Sequence, residues 1–150
     1  MSPKRQKMVL GPYINVYMAM TNGLGIPTLH KIYHSRDRHK KQTQILVAAT
    51  MLSSFFMHLS ETKHHLPGIA PFHVYSWYFL QWDRIMASIM VAVGVYKVEK
   101  KPISKPLLGI SAIGLVCMFL AENIEGGYLW FTIFHSIWHA VAYYLMYRVM

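Results

Sequence analysis

The chain is predicted to be an all-α bundle of about five membrane-spanning helices forming a single domain over residues 1–150. Three observations predict it. Of its 150 residues, 54% are hydrophobic and only 14% are charged, against roughly 25% charged in a soluble domain. The charges fall in short clusters and leave windows close to the roughly 20 apolar residues that a spanning helix needs. Each window is also too long and too evenly apolar for a surface strand, whereas a helix satisfies its own backbone polar groups in lipid.

The first window runs from Met8 to Leu29 and is the weakest, because it holds Pro12, Asn15, Asn22, Gly23, Gly25 and Pro27. A cleaved signal peptide competes for it. No compact leucine-rich core precedes a small-x-small cleavage site, so a helix is expected. A basic loop, HKIYHSRDRHKKQ, follows at 30–42, and TQILVAATMLSSFFMHL at 43–59 is the second span. After the polar loop SETKHHLPGIAPF, the third span is HVYSWYFLQWDRIMASIMVAVGVY at 73–96. The basic loop KVEKKPISK leads to a short fourth span, PLLGISAIGLVCMFLA at 106–121. The acidic turn ENIEGG then leads to the fifth, YLWFTIFHSIWHAVAYYLMY at 128–147.

A net charge of +9 raises the possibility of a nucleic-acid partner. The basic residues sit in short loops between apolar windows, however, where the positive-inside bias explains them, so no nucleic acid is expected. Lys31, Arg36, Arg38, Lys40 and Lys41, then Lys97, Lys100, Lys101 and Lys105, and finally Arg148 fall on one side. Lys4, Arg5, Lys7 and Lys63 fall on the other, with the acidic Glu122 and Glu125. This places the C-terminus in the cytosol and the N-terminus outside or in a lumen. The one cysteine, Cys117, lies in an apolar window and reads as a small buried side chain.

Ionisable residues inside spans are expensive, face the protein interior and mark functional sites. Under this topology His58 on the second span, Asp83 on the third, and His135 and His139 on the fifth reach a similar depth below the outer surface. His135 and His139 are four apart and share a helix face, as do Ser54 and His58. Three imidazoles leave a fourth tetrahedral position for water, the architecture of a catalytic zinc site, at which water has a pKa of roughly 7. Asp83 is placed to orient that water or take its proton, and Ser54 to hydrogen-bond a ligand, the water or a developing oxyanion. Two plainer readings compete. A lone buried histidine is commonly a hydrogen-bonded packing residue. Haem, held by His58 with either His135 or His139, would leave Ser54 and Asp83 without a task. His64, His65 and His73 in the outer loop read as ordinary solvated histidines. Arg84 does not face its neighbour Asp83 on a helix.

The combination S-x-x-x-H, Asp and C-terminal H-x-x-x-H resembles the CREST superfamily of membrane hydrolases, which includes alkaline ceramidases and the adiponectin/progestin receptors. The likeness is nearest to its transmembrane-protein-eight and myomaker family. TNGLGIPTLHKIYHSRDRHKKQTQILVAATMLSSFFMH, LPGIAPFHVYSWYFLQWD and FLAENIEGGYLWFTIFHSIWH carry it across nearly the whole chain. The resemblance implies that His58, His135 and His139 ligate Zn2+ and that Ser54 and Asp83 are the catalytic pair. It implies a seven-helix fold with the N-terminus outside, here shortened to five by the loss of two helices between the Asp83 and H-x-x-x-H spans. The implied activity is zinc-dependent hydrolysis of an ester or amide near the outer or lumenal membrane face, phospholipase A2-like or ceramidase-like. The substrate would be a membrane lipid or a lipid-anchored molecule, in the plasma membrane or an endomembrane, and a homo-oligomer would supply the missing wall. The alternative is a non-enzymatic, myomaker-like membrane-fusion or remodelling protein with a structural zinc site.

Overall fold

A computed structural model describes residues 3–98, 104–123 and 127–150. Every described element is helical: α1 (Pro3–Met20), a 3-10 turn (Thr21–Gly25), α2 (Ile26–His34), α3 (Lys40–Ser60), a second 3-10 turn (Phe72–Tyr75), α4 (Ser76–Val98), α5 (Lys105–Asn123) and α6 (Tyr128–Val149). Each of the five predicted windows falls on helix. The first is one rod broken by the Thr21–Gly25 turn, where two glycines and the approaching Pro27 weaken regular α-helix. α2 runs on to His34, five residues into the predicted basic loop, because Ile32 there is buried against Val47 and Met90. Parts of two predicted connections, residues 99–103 of the second basic loop and 124–126 of the acidic turn, lie outside the described residues.

Two helices, Lys40–Ser60 and Lys105–Asn123, are long and apolar enough to cross a membrane. They occupy different places in the bundle. α3 is central and packs on α1, α2 and α4, whereas α5 is peripheral and packs on α6 alone among the described elements. The α5–α6 seam is close, since a Cβ at Gly114 would stand 2.5 Å from a Val141 methyl.

The distribution of polarity is inverted relative to a water-soluble domain. Buried positions include Asn15, Asn22, Thr28, Thr43, Thr50, Ser53, Ser54, Ser60 and three histidines. Large apolar side chains such as Ile45, Val91, Ile113 and Phe119 are exposed. Two small apolar clusters bracket the polar interior: Met18, Leu66, Ala121 and Phe131 at one end, and Ile32, Val47 and Met90 at the other.

At the Val47 end, Lys97 Nζ meets Asp37 Oδ2 at 2.7 Å. This ion pair and the His39 amide hold the Asp37 carboxyl below the usual carboxylate range. Lys31 Nζ donates to the Tyr147 carbonyl near the C-terminus. The loop after α2, the end of α4 and the end of α6 therefore share one end of the bundle. At Gly25 the first rod presses against α3 and α6, where a Cβ would lie 2.6 Å from Met51 Sδ and 2.8 Å from Tyr143 Cε1. Only glycine admits that approach.

Candidate metal centre

α6 buries one stripe: Phe131, His135, His139 and Tyr143. The spacing of four keeps all of them on one face, and that face looks toward α3. The two helix backbones do not touch. Side chains fill the space between them, above all three imidazoles.

His58 enters from the last turn of α3 and is 0% exposed, while His135 and His139 are 6% and 5% exposed. The ring centroids form a near-equilateral triangle of 4.7 Å (His58–His135), 4.7 Å (His135–His139) and 5.0 Å (His58–His139), each pair edge to face. One ring nitrogen from each residue lies within 4.8 Å of the other two, close enough to bind a metal ion. His58 Nε2 and His139 Nε2 are 3.3 Å apart, which leaves no room for a porphyrin plane between them. Nδ1 of His58 and Nδ1 of His135 are buried without a hydrogen-bond partner among the described residues. Buried nitrogens of that kind are rare unless an ion or water satisfies the site.

Ser54 reaches the cluster, its Oγ 3.5 Å from His139 Nε2. Asp83 takes a different neighbour. Its Oδ1 accepts from Ser53 Oγ at 3.3 Å, and no hydrogen bond joins Ser54 to Asp83 among the described residues. Ser53 Oγ also points at the Thr50 carbonyl, 2.9 Å away. The adjacent serines therefore divide the work, one turned to the imidazoles and one to the carboxylate. Arg84 is exposed, as its position beside Asp83 on a helix requires.

The first rod supplies contacts that the motif does not contain. Asn15 Nδ2 donates to the His58 carbonyl at 2.7 Å and to the Glu61 carbonyl at 3.0 Å, closing the C-terminus of α3 just where His58 sits. Thr21 Oγ1 lies 2.6 Å from His139 Nδ1, and Tyr143 Oη donates to Asn22 Oδ1 at 2.5 Å. Asn15→Ala leaves both α3 carbonyls without this donor, and the expected cost is about 1–3 kcal/mol. Thermal unfolding of the detergent-solubilised chain checks this, and an unchanged midpoint would contradict it.

The polar loop after α3 covers the Phe131 end of the cluster. Leu66 is buried against Phe131, and the His64 ring stacks on Phe131 at 4.3 Å and 11°. Phe131 in turn packs 4.9 Å from the His135 ring. His64 and His65 both take positive φ, 55° and 64°, a conformation that costs an L-residue roughly 1–2 kcal/mol. His64 is thus half-buried, one face packed on Phe131, and this burial pushes the imidazole pKa down. Burial pushes the neighbouring Glu61 carboxyl up, against the lowering pull of the Lys63 amide.

No family profile, no curated protein and no solved structure matches the chain.

Proposed function

We propose that the chain is a multi-pass membrane protein whose buried histidines hold Zn2+ and that it hydrolyses an ester or amide bond of a lipid or lipid-anchored substrate. The observation that carries this reading is the convergence of His58, His135 and His139 on one buried point. Two imidazole nitrogens on a tetrahedral zinc ion, with Zn–N of about 2.0–2.1 Å, stand about 3.3–3.4 Å apart. The His58–His139 separation of 3.3 Å fits that edge.

The inverted polarity supports the membrane setting, since an apolar exterior around a hydrogen-bonded polar interior suits lipid as solvent. The shared location of Asp37, Lys97 and the C-terminal carbonyls at one end fits a five-span topology with the N-terminus outside and the C-terminus in the cytosol. That topology also fits a shortened, seven-helix-derived relative of the CREST hydrolases, nearest to the transmembrane-protein-eight and myomaker group. A second copy of the chain would complete the wall that two further helices provide in that family.

His58, His135 and His139 would hold the zinc, which would supply Lewis acidity worth several kcal/mol where charge develops on a carbonyl oxygen. Ser54, facing His139 Nε2, donates a hydrogen bond toward the same reacting oxygen. Asp83, held through Oδ1 by Ser53, would accept the proton of the attacking water and return it to the alcohol or amine released as the ester or amide bond breaks. Phe131, Leu66 and the His64 ring exclude bulk water from the outer side.

That same cover favours a second reading, a structural zinc site in a membrane-fusion or remodelling protein, because structural sites are closed and catalytic ones keep an open position. The two readings separate in one assay. Purified protein reconstituted with phospholipid or ceramide is expected to release fatty acid, and a zinc chelator is expected to stop it. Zinc-loaded protein that releases none from any lipid ester or amide would overturn the hydrolase and leave the structural role.

A further inference from the structure

We propose that Thr21 is a positioning residue that fixes the tautomer of His139 and so turns its Nε2 lone pair toward the metal. The inference rests on the metal reading of the histidine cluster and adds a determinant that lies outside the S-x-x-x-H, Asp and H-x-x-x-H pattern.

A threonine hydroxyl has one O–H donor and two acceptor lone pairs. Thr21 Oγ1 spends its donor on the Met18 carbonyl, 2.5 Å away, a local contact of the 3-10 turn that ends α1. The same oxygen lies 2.6 Å from His139 Nδ1, and with its proton committed it can only accept there. Nδ1 must therefore carry the hydrogen. In a neutral imidazole the other nitrogen, Nε2, then holds the lone pair. Nε2 is the atom that faces the site, 3.3 Å from His58 Nε2 and 3.5 Å from Ser54 Oγ. A ring of the opposite tautomer would point an N–H at the ion and bind nothing.

The position of the threonine is set by the fold. Thr21 opens the turn that interrupts the first rod, and that turn packs against both α3 and α6. Asn22, the next residue, is tied to Tyr143 one turn beyond His139. Gly25 lets the turn approach Met51 and Tyr143.

Partners that orient a ligating histidine through its second nitrogen are worth about 10–100-fold in metal affinity. Thr21→Val removes donor and acceptor at nearly constant volume, and Thr21→Ser restores both. The full chain in detergent, labelled with 15N at histidine, is stripped of metal and examined by long-range 1H–15N spectra near neutral pH, then titrated with zinc. The expected result is Nδ1–H at His139 in the wild type and in Thr21→Ser. In Thr21→Val the Nε2–H form is expected to grow in, with zinc affinity lowered about 10–100-fold.

A wild-type His139 in the Nε2–H form overturns the inference without any variant, so misfolding of Thr21→Val cannot shelter it. An unchanged tautomer and unchanged affinity in folded Thr21→Val overturn it as well. A wild type that shows Nδ1–H but takes up no zinc overturns the metal reading instead, and with it the purpose assigned to Thr21.

Discussion

Asp83→Asn is expected to keep zinc at the wild-type level and to lower lipid hydrolysis by about 10²- to 10⁴-fold, the range for loss of a general base. The substitution is nearly isosteric and retains an oxygen acceptor for the Ser53 hydroxyl, which now bonds Oδ1 at 3.3 Å. It removes the ability to take a proton. Asp83 belongs to α4 and makes no hydrogen bond to the three imidazoles among the described residues, so metal uptake has no reason to change. The measurement is fatty-acid release beside metal content on the same preparation. Activity that survives in Asp83→Asn would remove the carboxylate from the mechanism, and zinc lost together with activity would make it a structural support of the site.

A larger effect on binding is expected for His58→Ala. His58 is fully buried at the end of α3, and its substitution leaves two imidazoles, both from α6, and no ligand from α3. Stoichiometric zinc should be lost. With it should go the stability that the metal lends to the fold, about 2.7 kcal/mol when free metal stands at 100 times Kd. A chelator should therefore lower the unfolding midpoint of the wild type and leave that of His58→Ala unmoved. Because a histidine must be neutral to bind an ion, the wild-type stabilisation by zinc should fade as the pH falls. A chelator shift of equal size in both proteins would contradict the assignment of His58 as a ligand.

Sequence and structure differ in an instructive way around this site. The positions of His58, His135 and His139 were legible because helical periodicity is strict. Residues four apart share a face wherever the helix packs, and an imidazole inside an apolar window stands out. Phe131 and Tyr143 lie on the same stripe of α6 but are apolar or aromatic, so nothing in the pattern separates them from their neighbours. The contacts from the first rod were hidden for the opposite reason. Asn15, Asn22 and the glycines lowered the hydropathy of that window and made it the least secure span. Those polar atoms face inward, where Asn15 closes α3 beneath His58 and Asn22 meets Tyr143. An asparagine in an apolar window marks an interhelical bond as readily as it marks a poor helix.

The pairing of Asp83 was not legible at all. Ser53 and Ser54 are adjacent and chemically alike, and periodicity puts the second on the face of His58. Which serine reaches the carboxylate depends on the distance between α3 and α4, a tertiary quantity. Ser53 takes that contact while Ser54 turns to His139.

Elemental analysis of the purified, detergent-solubilised chain beside its His139→Ala variant tests the metal centre most directly. The proposed zinc site predicts about one zinc per wild-type chain and none in the variant. Folded wild-type protein that carries no zinc, and takes none up when it is offered, would contradict the metal centre and the hydrolase built on it.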